Sequence, residues 1–272
     1  MDSKISFQDG KMLVPDVVTI PFIEGDGVGP ECWAASQAVF DAAVERASRG
    51  AKKVMWKEIL AAEKAFKQTG EWLPEETVAA IKQYHVAIKG PLTTPVGEGI
   101  RSVNVALRHT LLLHACIRPV KWIEGVISPV RRPELVDMVV FRENMEDIYA
   151  GIEWAAGTPE NADISACISR LTGKTLPAES GIGIKYMSRA GAERIMRDAL
   201  AFAVRHNRRS VTIVHKGNIM KYTEGSFKNW CYELAKREFG DLICLESEAA
   251  RPEMAGRIVV KDRIADNMFQ QV

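Results

Sequence analysis

The stretch VVTIPFIEGDGVGPE, Val17 to Glu31, decides the fold. Val17 to Ile23 is apolar and β-branched and reads as a strand. Glu24-Gly25-Asp26-Gly27-Val28-Gly29 then forms a glycine turn, and Pro30 favours the first turn of a helix. Working outward, amphipathic patterns predict helices over Trp56 to Lys67 and, with Pro74 at the start, over Pro74 to Tyr84, followed by a short strand from His85 to Ile88. Strands alternating with helices in this way imply a parallel sheet. Beyond it, Asp137 to Phe141 and Ser210 to His215 are β-branched runs. Ser188 to His206 and Thr223 to Phe239 carry helical periodicity, with Ser188 and Thr223 as N-caps. Phe227, Trp230, Cys231 and Leu234 share one helix face and read as core. Between residues 154 and 181, Gly157, Pro159, Asn161, Gly173, Pro177 and Gly181 interrupt any long period, so this part reads as an inserted hairpin or loop excursion.

The 272 residues carry 36 basic and 35 acidic side chains, a formal charge of +1, and 47% are hydrophobic. This is the composition of a globular chain of about two domains, and it excludes disorder and collagen-like repetition. A near-neutral sum disfavours nucleic-acid binding by bulk phosphate neutralisation, and aromatics are not interleaved with the basic residues. No apolar stretch approaches the roughly 18 residues that span a bilayer, and the N-terminus has no apolar signal region, so a cytoplasmic protein is expected. The five cysteines, Cys32, Cys116, Cys167, Cys231 and Cys244, never form Cys-x-x-Cys and read as reduced thiols.

The glycine turn invites a dinucleotide reading, but Gly25, Gly27 and Gly29 are not spaced G-x-G-x-x-G. The acids about 20 residues on, Asp41 and Glu45, fall inside a helix, so a tight structural turn is the better reading. The informative segment is AIKGPLTTPVGEGIRSVNVALRHTLLLHACIRP, Ala87 to Pro119. There Lys89, Arg101, Arg108 and Arg118 face a single acid, Glu98. A helix starting near Ser102 puts Asn104 and Arg108 on one face, with Ser102 in the first turn, where free N–H groups favour an anion. Arg118 ends one apolar run and Arg142 another, so two guanidinium groups are expected at the ends of neighbouring strands, where their forks suit carboxylates. Spacing alone leaves this reading level with ordinary surface pairing. Tyr149 follows Arg142 by about two helical turns and could donate a proton, although a packing role is commoner. Lys216 follows the strand Ser210 to His215, at a strand end where catalytic groups sit in α/β sheets, and reads equally well as an exposed loop lysine. Asp262 and Asp266 stand at helical spacing and could offer two carboxylates to a divalent cation, fewer than such a cation needs.

Taken together, FIEGDGVGPE at Phe22, AIKGPLTTPVGEGIRSVNVALR at Ala87, FRENMEDIYAGIEW at Phe141, GIGIKYMS at Gly181, VTIVHKGNIMKYTEGSFKNW at Val211 and KDRIADNMFQQV at the end resemble the bacterial-type NADP-dependent isocitrate dehydrogenases of the β-decarboxylating dehydrogenase family. Sister families acting on isopropylmalate, homoisocitrate or tartrate share the fold. The Ser-x-Asn of Ser102 and Asn104 marks the isocitrate branch. The resemblance implies an α/β fold of the isocitrate/isopropylmalate dehydrogenase type. A large domain with a parallel or mixed sheet would take residues 1–113, and an α/β small domain residues 114–272, with a clasp inserted at about 150–187 that interlocks two subunits. It implies that Ser102, Asn104, Arg108, Arg118 and Arg142, with Lys89 beside them, hold the carboxylates of isocitrate. Tyr149 would protonate the enolate after carbon dioxide leaves, and Lys216, reaching in from the other subunit, would assist removal of the hydroxyl proton. Thr93 and Thr94 would lie near the nicotinamide of NADP, and Asp266 would bind Mg2+ or Mn2+ across a homodimer. The reaction implied is the oxidative decarboxylation of isocitrate in the tricarboxylic acid cycle.

The family continues past the position of Val272 through further metal-binding aspartates and an adenosine-binding loop. The expectation is therefore a C-terminally truncated large domain with the activity of this chain alone in doubt, the alternative being a non-catalytic dimerising remnant that binds isocitrate or a full-length subunit. Phosphate placed on Ser102 by a regulatory kinase would repel the tricarboxylate.

Overall fold

The computed structural model describes residues 3–93 and 102–272, so Thr94, Glu98 and Arg101 lie outside the described residues. The chain divides into two units, Met1–Leu112 and Leu113–Val272.

In the first unit, strands β1 (Ser6–Gln8) and β2 (Lys11–Leu13) form an antiparallel pair. The strand expected at the opening is β3 (Val17–Ile23). It is central in a parallel sheet between β4 (Lys53–Glu58) and β5 (Ile88–Lys89). Pro21 is tolerated in this central strand because pairing with β5 begins only one residue later, at Phe22. Helices α1 (Gly29–Ser48), α2 (Ala62–Thr69), α3 (Glu75–Tyr84) and α4 (Val103–Thr110) complete the unit. Its core gathers Ile23, Ile59, Ala62, Ala80, Val103 and Leu107.

The helix expected over Trp56 to Lys67 is two elements. Trp56 belongs to β4, where Val54 and Trp56 are half-buried and their neighbours exposed, the period of a strand. Its indole stands edge-on to Trp33 at 5.1 Å, and Nε1 donates to Asp41 Oδ1 at 2.9 Å. The expected strand at His85 starts later, because His85 caps α3 in a left-handed conformation, φ 62°.

The second unit begins with an antiparallel ribbon, β6 (Ala115–Lys121) and β7 (Asp137–Glu143). The short pair β8 (Glu153–Trp154) and β9 (Ile182–Gly183) closes the foot of the insertion. The insertion is not a loop excursion, since it contains helix α5 (Pro159–Thr172). The breakers read in the sequence stand at its two ends: Thr158 Oγ1 accepts the N–H of Asn161 at 3.3 Å, Pro159 opens the first turn, and Gly173 ends the helix at φ 69°. Helix α6 (Arg189–Arg205), strand β10 (Ser210–His215), helix α7 (Glu224–Phe239) and strands β11 (Ile243–Leu245) and β12 (Ile258–Ile264) form a parallel three-stranded sheet under two helices, with order β10-β12-β11. Ser188 caps α6 as expected, its Oγ accepting the Gly191 N–H at 3.0 Å. Leu200, Ile213, Cys231, Leu234, Ala235 and Val260 form the core, with Phe227 and Trp230 packed against it. The chain ends in α8 (Ala265–Gln271). Among the described residues, no helix is long and apolar enough to cross a membrane.

Candidate active site

In the first unit the glycine turn locks two loops together. A Cβ at Gly90 would lie 2.1 Å from the Glu24 carbonyl oxygen, and one at Gly25 would lie 2.4 Å from the Pro91 carbonyl oxygen. Gly25 and Gly90 are therefore required where backbone meets backbone, and a Cβ at Gly29 would likewise lie 2.6 Å from the Glu24 carbonyl oxygen, whereas Gly27 faces open space. Asp26 is buried in this contact. Its N–H donates to Pro91 O at 2.7 Å, and its Oδ2 accepts the Thr93 N–H at 2.7 Å, fixing the residue expected near a nicotinamide.

Just before that loop, Lys89 ends β5 and donates from Nζ to Gly90 O at 2.7 Å. The residue as a whole is open to solvent, yet the crowding around its ammonium lowers its pKa, and the positive charge of Arg108 lowers it further. Arg108 and Asn104 stand one turn apart on α4, both half-buried, because Val103 and Leu107 take the core-facing positions. Ser102 occupies the N-cap of the same helix. Lys89 and Arg108 are thus near enough to feel each other's charge.

In the second unit the register pairs Arg142 with Cys116 and Arg118 with Val140. Cross-strand partners share a face, so Arg118 and Arg142 lie on one face of the ribbon, diagonal to each other. They project from within the strands rather than from their tips. The Arg142 guanidinium carbon stands 4.3 Å from the centre of the Tyr149 ring, a cation–π contact. Arg142 and Tyr149 meet without a helix between them. β7 ends at Glu143, and Tyr149 rides on the 3-10 turn Asp147–Ala150.

Sequence reasoning missed the side chains that brace this turn. Glu143 accepts the N–H groups of Met145 and Glu146 at 2.8 and 2.9 Å. Asn144 is buried and donates from Nδ2 to Cys116 Sγ at 2.8 Å. Glu146, also buried, accepts the Ser188 N–H at 2.7 Å and the Ser188 hydroxyl, placing a carboxylate at the N-terminus of α6. A Cβ on Gly191 would come within 2.8 Å of that carboxylate, which explains the glycine.

Lys216 follows β10 directly, as the strand reading placed it, and its ammonium is ion-paired with Asp266 in the first turn of α8. The hydrogen bond from Lys216 lowers the pKa of Asp266. Asp262 and Asp266 do not share a helix face, because Asp262 belongs to β12. His215 is buried, and its Nδ1 accepts the Gly217 N–H at 2.9 Å, so the ring proton sits on Nε2 and is donated to Asp262 Oδ2 at 2.9 Å. The Tyr232 hydroxyl donates to Asp262 Oδ1 at 2.8 Å.

Desolvation pushes the Asp262 pKa up, but the bonds from His215 and Tyr232 outweigh it and leave the pKa below the ordinary 3.8. A carboxyl with a depressed folded pKa adds stability that is fully present above its unfolded value and fades as pH falls through the folded one. Asp262→Asn is therefore expected to cost about 1 kcal/mol at pH 7 and progressively less below the ordinary aspartate range, as read from urea midpoints across that window. A cost that does not shrink in acid contradicts the assignment.

Among the described residues, no group of three or more His, Cys, Asp or Glu side chains is assembled to hold a metal. Asp266 offers one carboxylate, already paired, so this chain's described residues do not by themselves fit a divalent cation, which takes about six oxygens. Of the two threonines expected near a nicotinamide, Thr93 is the described one. The site residues expected from the sequence thus gather in three groups: Lys89 with Arg108 on the α4 side, Arg118 with Arg142 and Tyr149, and Lys216 with Asp266.

A family model described as isocitrate/isopropylmalate dehydrogenase matches residues 19–272. The chain is 51% identical over 288 aligned positions to a Staphylococcus epidermidis protein named isocitrate dehydrogenase [NADP], covering 99% of this chain and 68% of that one. It is 50% identical to an Archaeoglobus fulgidus protein of the same name, covering 99% and 66%. The crystal structure of isocitrate dehydrogenase from Methylococcus capsulatus is similar at a TM-score of 0.64 and 31% identity, over 92% of this chain and 68% of that chain. The chain spans about two thirds of the length of these relatives.

Proposed function

Because the chain belongs to the isocitrate/isopropylmalate dehydrogenase family, we propose that it serves the NADP-dependent oxidative decarboxylation of isocitrate to 2-oxoglutarate and carbon dioxide. The observation that carries this reading is the 51% identity, over 99% of the chain, to a relative named for that substrate and cofactor. The guanidinium pair on the ribbon supports it, since two forks on one face match a substrate rich in carboxylates.

In this reading Arg118 and Arg142 bind carboxylates of isocitrate. Ser102, Asn104, Arg108 and Lys89 take the same part on the first unit. Bound NADP would supply the acceptor for the hydride leaving C2 of the substrate. Lys216, presented to the site of a second copy in a homodimer, assists departure of the hydroxyl proton. Once carbon dioxide has left, Tyr149 returns a proton to the carbon that held it, so that atoms and charge balance. The Arg142 guanidinium over the Tyr149 ring orients the phenol. Thr93, pinned by Asp26, would hold the nicotinamide side of NADP, and Asp266 would give one carboxylate toward Mg2+ or Mn2+ beside oxygens supplied from elsewhere.

The test offers isocitrate, isopropylmalate and tartrate in turn, with NADP and Mg2+, and follows NADPH by its near-ultraviolet absorbance. Reduction with isocitrate and not with the others is expected. Preference for another of these acids overturns the substrate, and no reduction with any of them overturns the activity.

A further inference from the structure

Tyr149 and Lys216 stand on separate turns, and one ammonium ties the two turns together. Lys185 lies just past β9, at the exit of the insertion. Its Nζ donates to Asp147 Oδ1 and, at 2.8 Å, to Glu224 Oε1. Asp147 is the first residue of the 3-10 turn that carries Tyr149, and its own N–H donates to Tyr186 O at 3.1 Å. Glu224 is the first residue of α7, and its other oxygen, Oε2, accepts the backbone N–H of Lys216 at 2.9 Å. The run Asp147, Lys185, Glu224, Lys216 thus joins three segments far apart in sequence.

The side chains of Lys185 and Glu224 are only 21% and 16% exposed, so water competes weakly for these bonds. Desolvation lowers the pKa of Lys185, but the bonds to Asp147 and Glu224 outweigh it and raise it above the ordinary lysine value. The group is a fixed cation and not a proton carrier. The negative charge of Glu224 is further accommodated at the N-terminus of α7. Taking the ammonium away leaves two carboxylates that had shared it, and both turns lose their common anchor.

We propose that Lys185 is a positioning residue that holds the Tyr149 turn and the Lys216 backbone in register from a single point at the foot of the insertion. This rests on the assignment of proton transfer to Tyr149 and Lys216 made above. It gives an unassigned lysine a defined part in the reaction, through the two groups it fixes and not by touching substrate.

Lys185→Met and Lys185→Arg chains are compared with the parent by amide hydrogen exchange and by steady-state kinetics. In Lys185→Met, exchange at residues 147–151 and at Lys216 rises together, by about tenfold, while α6 and β12 keep the parent's protection. kcat falls by about tenfold with KM for isocitrate within about twofold, the signature of displaced reacting groups, and Lys185→Arg restores most of both. Should Lys185→Met lose protection throughout, Glu224→Gln is the milder variant. It keeps an acceptor for the Lys216 N–H and removes the charge, and the same two turns are expected to loosen over an intact core.

Exchange that changes at only one turn, or an unchanged kcat, overturns the proposal. Tyr149→Phe and Lys216→Met chains separate the two levels. If both are impaired and Lys185→Met is not, only the Lys185 inference fails. If both turn over like the parent, or the parent does not turn over, the proton-transfer assignment fails and takes the positioning role with it.

Discussion

Replacing Arg142 by Gln is expected to weaken isocitrate binding by roughly 10- to 100-fold, the effect of removing about 1.5–3 kcal/mol of charge-assisted hydrogen bonding. Arg142 is the sixth residue of β7, half-buried, and paired in register with Cys116. The ribbon therefore aims the guanidinium rather than leaving it to wander, and little order is lost when a carboxylate arrives. Lysine at this position keeps the charge but not the fork, so Arg142→Lys is expected to recover only part of the affinity. Arg142 also covers the Tyr149 ring at 4.3 Å, so its loss frees the phenol as well as the substrate carboxylate. The glutamine variant should therefore lose turnover beyond what saturating isocitrate can restore. Titration calorimetry for affinity and initial rates at saturating substrate check the two parts separately. An Arg142→Gln chain that binds isocitrate like the parent removes the ribbon from the site.

Leu234→Ala is expected to cost about 2–5 kcal/mol of stability in the second unit, seen as a lower urea midpoint for that unit's unfolding. Leu234 is fully buried in α7 and belongs to the cluster with Leu200, Ile213 and Val260, so truncation leaves a cavity between the helices and the parallel sheet. Neighbouring side chains in a core this close-packed collapse only partly into such a void. The consequence reaches the chemistry through α7. Its first residue, Glu224, holds the Lys216 N–H, so loosening the helix also loosens the turn after β10. A cost below about 1 kcal/mol shows that the cluster does not hold α7 on the sheet.

Where period and side-chain type agreed, the elements were legible before the structure. β3, β10 and α6 appear with bounds at or within one residue of those read, because β-branched runs and the Ser188 cap specify them locally. Trp56 was misread as helical because a bulky aromatic at one position fits either period. Only the packing of its indole between α1 and the sheet selects the strand. Helix α5 is hidden for the opposite reason, since Pro159 and Gly173 look like interruptions of a period and are in fact its two boundaries. The charged residues proposed for the site come from the family motifs. Their support was not legible in the sequence. Glu146 and Ser188 are 42 positions apart, and Lys185 reaches Asp147 and Glu224 across 38 and 39, distances at which no periodicity carries a signal. Asp262 looked like a partner of Asp266 on spacing. In the fold it serves His215 and Tyr232, because the strand β12 ends between the two aspartates.

The central claim is that the arginines of the β6–β7 ribbon bind isocitrate, and calorimetric titration of the folded 272-residue chain with isocitrate and Mg2+ measures it most directly. The account predicts a saturable heat with isocitrate that Arg142→Gln weakens strongly and Arg142→Lys partly restores. No heat with isocitrate, together with saturation by a different anion that competes for Arg142, contradicts it.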